Sequence, residues 1–214
     1  MVVPLNLPLT SSPDLRINGG SINNAIYTLI GGVLTVKAKK TLNISGGDFH
    51  FTKINVEGTG GGATLNFTET VRIYVENSLT VGNASRIVFK SASRSELYIG
   101  NPGSISMENN SSIDTPASTT CFGIYVVGIG PVVIRNNSSS NFYAVIYAPL
   151  ATVQLFNGVE LSGDIVANKV FLEEGVIVHY NTALRSLPIP PGDPGGVGGT
   201  PRFISWTKPD WKIK

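Results

Sequence analysis

The sequence predicts an all-β fold, a single-stranded parallel β-helix of about seven three-sided turns. Three observations carry that expectation. Six side chains recur on one period: Tyr27, His50, Tyr74, Tyr98, Tyr125 and Tyr147, at spacings of 23, 24, 24, 27 and 22 residues. A strand returning at one phase of such a period is the mark of a solenoid. Each member is the middle of an apolar-polar-apolar triplet (IYT, FHF, IYV, LYI, IYV, IYA), and strand alternation turns the flanking residues inward and the ring outward. Finally, residues 25 to 180 form a succession of short apolar runs broken by Gly, Asn, Ser and Thr turns, with no helical period.

Taken in order, residues 1–24 are rich in Pro, Ser and Asn and predict an extended lead-in. Residues 25–187 predict the β-helix, in which three strand segments recur per turn. IYV at 73–75 is followed by SLTV (78–81) and RIVF (86–89). LYI at 97–99 is followed by SISM (104–107) and SSI (111–113). IYV at 124–126 is followed by VVI (132–134) and NFYA (141–144). IVA at 165–167 opens a seventh turn, with VFL and VIV behind it. Seven turns would give a rod roughly 34 Å long at about 4.8 Å per rung. Ile26, Phe49, Phe51, Ile73, Val75, Leu97, Ile99, Ile124, Val126 and Ile146 are expected to be buried. Asn83, Asn109, Asn136 and Asn157 recur in turns and fit stacked amides running from rung to rung, although turns favour Asn in any case. Residues 188–214 begin as a Pro/Gly linker and end in RFISWTKPDWKIK. Both tryptophans, Trp206 and Trp211, lie in this tail and mark it as a segment that docks on a partner or folds back on the rod. The end strands need a cover, from the lead-in, the tail or a partner.

Composition narrows the function. Charged residues are 14% and Gly is 24 of 214, which suits a turn-rich β fold with a large core. A net charge of +2 without a Lys/Arg cluster argues against nucleic acid. The single cysteine, Cys121, excludes an intramolecular disulfide and a cysteine zinc site, and reads as a buried inert thiol. MVVPLNLPL lacks a basic n-region and is broken by two prolines, and no apolar run is long enough to span a bilayer. No cofactor or metal is implied: neither histidine lies in a ligand motif, and GTGGGAT at 58–64 opens no helix and carries no Lys-Ser/Thr pair.

The candidate ligand-binding residues are the aromatic column itself, Tyr27, His50, Tyr74, Tyr98, Tyr125 and Tyr147. In-register rings stabilise a flat sheet face by stacking, and they also offer π-faces to the apolar sides of sugar rings. Two residues before three members stand Asp48, Arg72 and Glu96, an acid-base-acid row that reads as a surface ion-pair ladder. An arginine between two carboxylates is wrong for an acid pair that must keep one proton, so no catalytic residue is assigned. His179 reads as a polar side chain capping the last rung, bonded to a free edge carbonyl.

The stretch FYAVIYAPLATVQLFNGVELSGDIVANKVFLEEGVIVHYNTAL (142–184) resembles the β-helical C-terminal region of PilX-like type IV pilus-assembly proteins and related bacterial cell-surface proteins. The shared elements are YAP-x-A-x-V, small-G-x-I-x-A-x-x-V-x-L and the closing I-x-H-Y-x-x-x-L; the isolated Ser205-Trp206 is similar too. The resemblance implies an extracellular or cell-surface protein tied to pili, adhesion or surface assembly. The expected role is non-enzymatic, presenting β-helix faces to protein subunits of such an assembly. The alternative is a carbohydrate-binding module or adhesin that holds a linear, cellulose-like polysaccharide on the aromatic column. A β-helical lyase or glycosidase is the third and weakest possibility.

Overall fold

The computed structural model describes residues 22–118, 122–135 and 142–180, and every regular element among them is a strand. The first half of the chain contains β1 (Ile22–Asn23), β2 (Tyr27–Ile30), β3 (Val33–Val36), β4 (Thr41–Ile44), β5 (Gly47–Val56), β6 (Thr64–Phe67), β7 (Val71–Val81) and β8 (Arg86–Phe89). The second contains β9 (Ser95–Ile99), β10 (Ser104–Met107), β11 (Ser112–Asp114), β12 (Phe122–Val126), β13 (Val132–Ile134), β14 (Phe142–Leu155), β15 (Glu160–Leu172) and β16 (Ile177–Tyr180). The long strands β5, β7, β14 and β15 bend around a corner and serve two faces each.

The result is a parallel β-solenoid of about five turns with three faces. On the first face the start of β5 pairs with β7, β7 with β9, β9 with β12, β12 with β14 and β14 with β15, all parallel. The second face runs β3, β5, β7, β10, β13, β14 and β15, again parallel throughout. The third holds β4, β6, β8 and β11. Where the sheet corner falls inside β14, the register shifts between Ala148 and Thr152. That is the position of Pro149 in YAP-x-A-x-V, a residue that can donate no ladder hydrogen bond and belongs at such a break.

Alternation decides the interior. Phe49, Phe51, Ile73, Val75, Leu97, Ile99, Ile124, Val126 and Ile146 are all buried, as their triplets predict. The core also holds an aromatic file. On the third face Phe67 stacks on its register partner Phe89 at 5.1 Å, and Phe122, from β12 of the first face, packs on Phe89 at 4.3 Å.

Tyr27 and Ile26 depart from the expectation. Tyr27 pairs antiparallel with Val36, in a hairpin closed by Gly31 and Gly32 with φ of 55° and 84°. Two consecutive positive φ values are the demand of a type I′ turn, which Gly-Gly meets without steric cost. The first segment is therefore spent on a hairpin that continues the second face, not on a coil. Tyr27 stands outside the aromatic column and Ile26, in the preceding turn, is 40% exposed. This accounts for much of the difference between the seven expected turns and the five formed. Part of the expected lead-in is also structured, since Ile22–Asn23 pairs with β2 as a two-residue edge strand.

The corner between second and third faces is built alike on five rungs. The third residue after Val36, Val81, Met107, Leu155 and Leu172 has positive φ: Lys39 (62°), Ala84 (58°), Asn110 (56°), Gly158 (66°) and Gly175 (83°); after Val56 the corner is made instead by Gly60, Gly61 and Gly62 (71°, 135° and 61°). A glutamate on the next rung often holds this turn. Glu57 accepts from the Ala38 N–H at 3.0 Å, Glu108 from Asn83 at 2.8 Å, and Glu173 from Asn157 at 2.7 Å. The asparagine column occupies the same corner. The Asn157 side-chain amide donates to Asn109 Oδ1 at 3.1 Å, while Asn136 lies outside the described residues.

Candidate functional site

The first face carries the aromatic column. His50, Tyr74, Tyr98, Tyr125 and Tyr147 are direct register partners on successive strands. Asp48, Arg72 and Glu96 form the parallel row beside them, and β15 extends that row with Asp164. Outward alternation places both rows on one surface.

The rings are tied to their charged neighbours. His50 Nε2 lies 2.8 Å from Glu76 Oε1, and its ring sits 5.1 Å from that of Tyr74. Tyr98 donates its hydroxyl to Glu96 Oε2 at 3.0 Å and stacks on Tyr125 at 4.9 Å with only 22° between planes. Arg72 stands between Asp48 (3.6 Å) and Glu96 (3.9 Å), as the acid-base-acid order predicts. Arg94 donates to Glu96 Oε1 at 3.1 Å and to the Tyr125 hydroxyl, with its guanidinium 6.0 Å from the Tyr125 ring centre. Burial works against the charge of Arg94, but Tyr125 and Glu96 outweigh it and hold the guanidinium protonated.

Tyr125 corrects the expectation of an exposed ring, for it is only 4% exposed. The cause is local. Gly123 is the outward residue two positions earlier, and a Cβ there would meet the Tyr125 ring at 2.8–2.9 Å. The ring lies down over the bare glycine, with Tyr98 and Arg94 against it. His50, Tyr74, Tyr98 and Tyr147 are half-buried, so the face presents ring edges and partial faces flanked by carboxylates.

This environment shifts the phenols. Tyr74, Tyr98 and Tyr125 all have pKa values above the ordinary 10.0, first because burial penalises the anion and then because Glu76 or Glu96 repels it; at Tyr125, Arg94 opposes the rise. A phenol whose folded pKa is raised gives its full stabilisation below the unfolded pKa and loses it as pH rises through the folded value. Urea midpoints should therefore hold to about pH 9 and fall steadily by about pH 11. Replacing Tyr98 with Phe should flatten part of that fall. An alkaline melt identical for wild type and Tyr98→Phe would contradict the assignment. Burial also pushes the Asp164 carboxyl above its ordinary range, partly offset by the Ile165 N–H it accepts at 2.8 Å.

His179 lies apart from this face, on the terminal rung. Its Nε2 is 2.9 Å from Glu160 Oε1, so it bonds a carboxylate on the neighbouring strand and not an edge carbonyl. Among the described residues no group of three or more His, Cys, Asp or Glu is gathered to hold a metal, and no helix is long and apolar enough to cross a membrane. Cys121, Trp206 and Trp211 lie outside the described residues. Arg94, Glu76 and Gly123 are members of the face that the period did not reveal. Glu76 and Gly123 sit two residues from a column tyrosine, an outward position that alternation marks, whereas Arg94 comes from a loop.

The fold and its surface thus define a parallel β-solenoid with an aromatic and ionic face running from rung to rung. The chain belongs to the family described as Domain of unknown function (DUF7305), whose model matches residues 15–187. No curated protein and no solved structure matches the chain.

Proposed function

We propose that this is a non-enzymatic extracellular surface protein, pilus-associated or adhesive, that presents its β-helix faces to protein subunits of a surface assembly. The observation that carries the proposal is the first face: a rigid surface on which rings and charges repeat at rung spacing. Such a surface suits a partner with a repeat of its own, because weak contacts made together reinforce one another. The resemblance of residues 142–184 to PilX-like proteins supports the surface role. Its YAP turn falls on the corner of β14, and its motif glycine, Gly163, falls within β15.

One observation favours a second reading, a polysaccharide adhesin. Tyr74 and Tyr98 stand half-exposed on adjacent rungs with Arg72 and Glu96 beside them, and sugar-binding strips combine π-faces with polar groups for the hydroxyls. A single pelleting assay separates the two. Purified protein is mixed with isolated type IV pili or with insoluble cellulose, and Tyr74→Ala/Tyr98→Ala is run beside the wild type. Binding to pili that falls about tenfold in the variant is the expected outcome, since loss of multivalent contacts is steep. Cellulose binding with the same sensitivity would select the second reading. Binding to neither would remove the face from both.

A further inference from the structure

The two ends of the solenoid are finished differently. At the N-terminal end the β2–β3 hairpin closes the second face, and its own Leu29, Leu34 and Val36 are buried. At the other end, among the described residues, residues 169–172 of β15 pair with β14 alone, and β16 pairs with β15 alone. The core side chains show the difference. Val170 and Leu172 are register partners of Val153 and Leu155, and Val178 of Leu161; the three inner residues are 0% exposed, whereas Val170, Leu172 and Val178 are 42%, 47% and 38% exposed. Positions that face the core one rung earlier face water here. Phe171, Ile177 and Tyr180 enlarge the apolar surface. Open strand edges combined with open core form a surface that solenoids need to have covered.

We propose that the cover is the chain's own C-terminal segment, residues 202–214, docked on Val170, Leu172 and Val178. Three observations select it over a second copy. The described residues end at Tyr180, on the open rung itself, and 34 residues follow in the sequence. One turn at this end takes only 17 residues, from Leu161 to its partner Val178, so the remaining length is ample. The segment RFISWTKPDWKIK supplies Phe203, Ile204, Trp206 and Trp211 as apolar groups. It carries four Lys or Arg against one Asp, opposite a terminal turn that bears Glu173 and Glu174. Tethering makes the docking intramolecular, so it does not depend on protein concentration.

Trp206 and Trp211 are the only tryptophans in the chain, so intrinsic tryptophan fluorescence of the full-length protein reports on this segment alone. The expected result is blue-shifted emission, severalfold less acrylamide quenching than in urea, and no change on dilution. Leu172→Lys should move the emission to that of water-exposed indole while the far-ultraviolet circular dichroism stays that of the wild type. Wild-type emission already at the water-exposed wavelength would overturn the proposal, and that measurement decides even if the variant does not fold. A blue shift lost on dilution, together with dissociation of a dimer in sedimentation, would assign the end to a second copy instead. A blue shift retained in a folded Leu172→Lys protein would place the tryptophans elsewhere and equally refute the docking site.

Discussion

Replacing Gly163 with alanine is expected to cost at least about 3 kcal/mol of stability, the upper range of overpacking effects. Gly163 pairs with Ala144 on one side and with Tyr180 on the other. A Cβ at this position would come within 1.7 Å of the Ala144 carbonyl oxygen. The obstacle is backbone in a ladder, so no side chain can rotate to make room, and both neighbouring pairings must give way. This is also the physical reason for the glycine of the G-x-I-x-A-x-x-V-x-L rung. Gly158→Ala is the proper comparison. Its φ is +66° and the nearest atom to a new Cβ is 3.8 Å away, leaving a conformational cost of about 1 kcal/mol. Thermal melts of the two variants should be well separated; equal melts would show that the sheet absorbs the clash.

Phe89→Ala should be of similar severity, about 4 kcal/mol, the middle of the range for removing a buried phenylalanine. Phe89 is held between Phe67 and Phe122, so truncation removes two ring contacts and leaves a cavity between rungs. Parallel strands on either side are hydrogen-bonded into the ladder and cannot close in on it. Phe89→Leu should recover more than half of the loss by refilling most of the volume. A denaturant midpoint for Phe89→Ala close to that of wild type would mean that the ring file adds nothing to the core.

The parallel coil was legible because two independent periods agree: about two dozen residues between equivalent strands, and two within each strand. His50, Tyr74, Tyr98, Tyr125 and Tyr147 meet both and fall into register. Tyr27 met the long period by coincidence. The stronger local signal was Gly31-Gly32 between two apolar runs, a hairpin pattern that outranks a single spacing. Burial of Tyr125 depends on a missing side chain at Gly123 and on Arg94 arriving from a loop, and loop length obeys neither period. The phenylalanine file went unseen because it crosses two faces: the third-strand position varies between Ile44, Phe67 and Phe89, and Phe122 joins from the start of a first-face strand. The clamping glutamates follow neither period. Only the turn geometry shows that Glu57, Glu108 and Glu173 share one job.

The glutamate-held corners bear on how the molecule carries load. Ladder hydrogen bonds in a solenoid point along its axis, and each rung touches only the next. Tension applied through the C-terminus therefore falls on the last rung alone, where it peels strands off in sequence. Against this peeling each clamp is an extra stitch from one rung to its neighbour, set at the corner outside the strand ladder: Glu173 to the Asn157 corner, Glu108 to Asn83, Glu57 to Ala38. Extension should proceed in steps, with the hairpin-backed rungs at the N-terminal end giving way last.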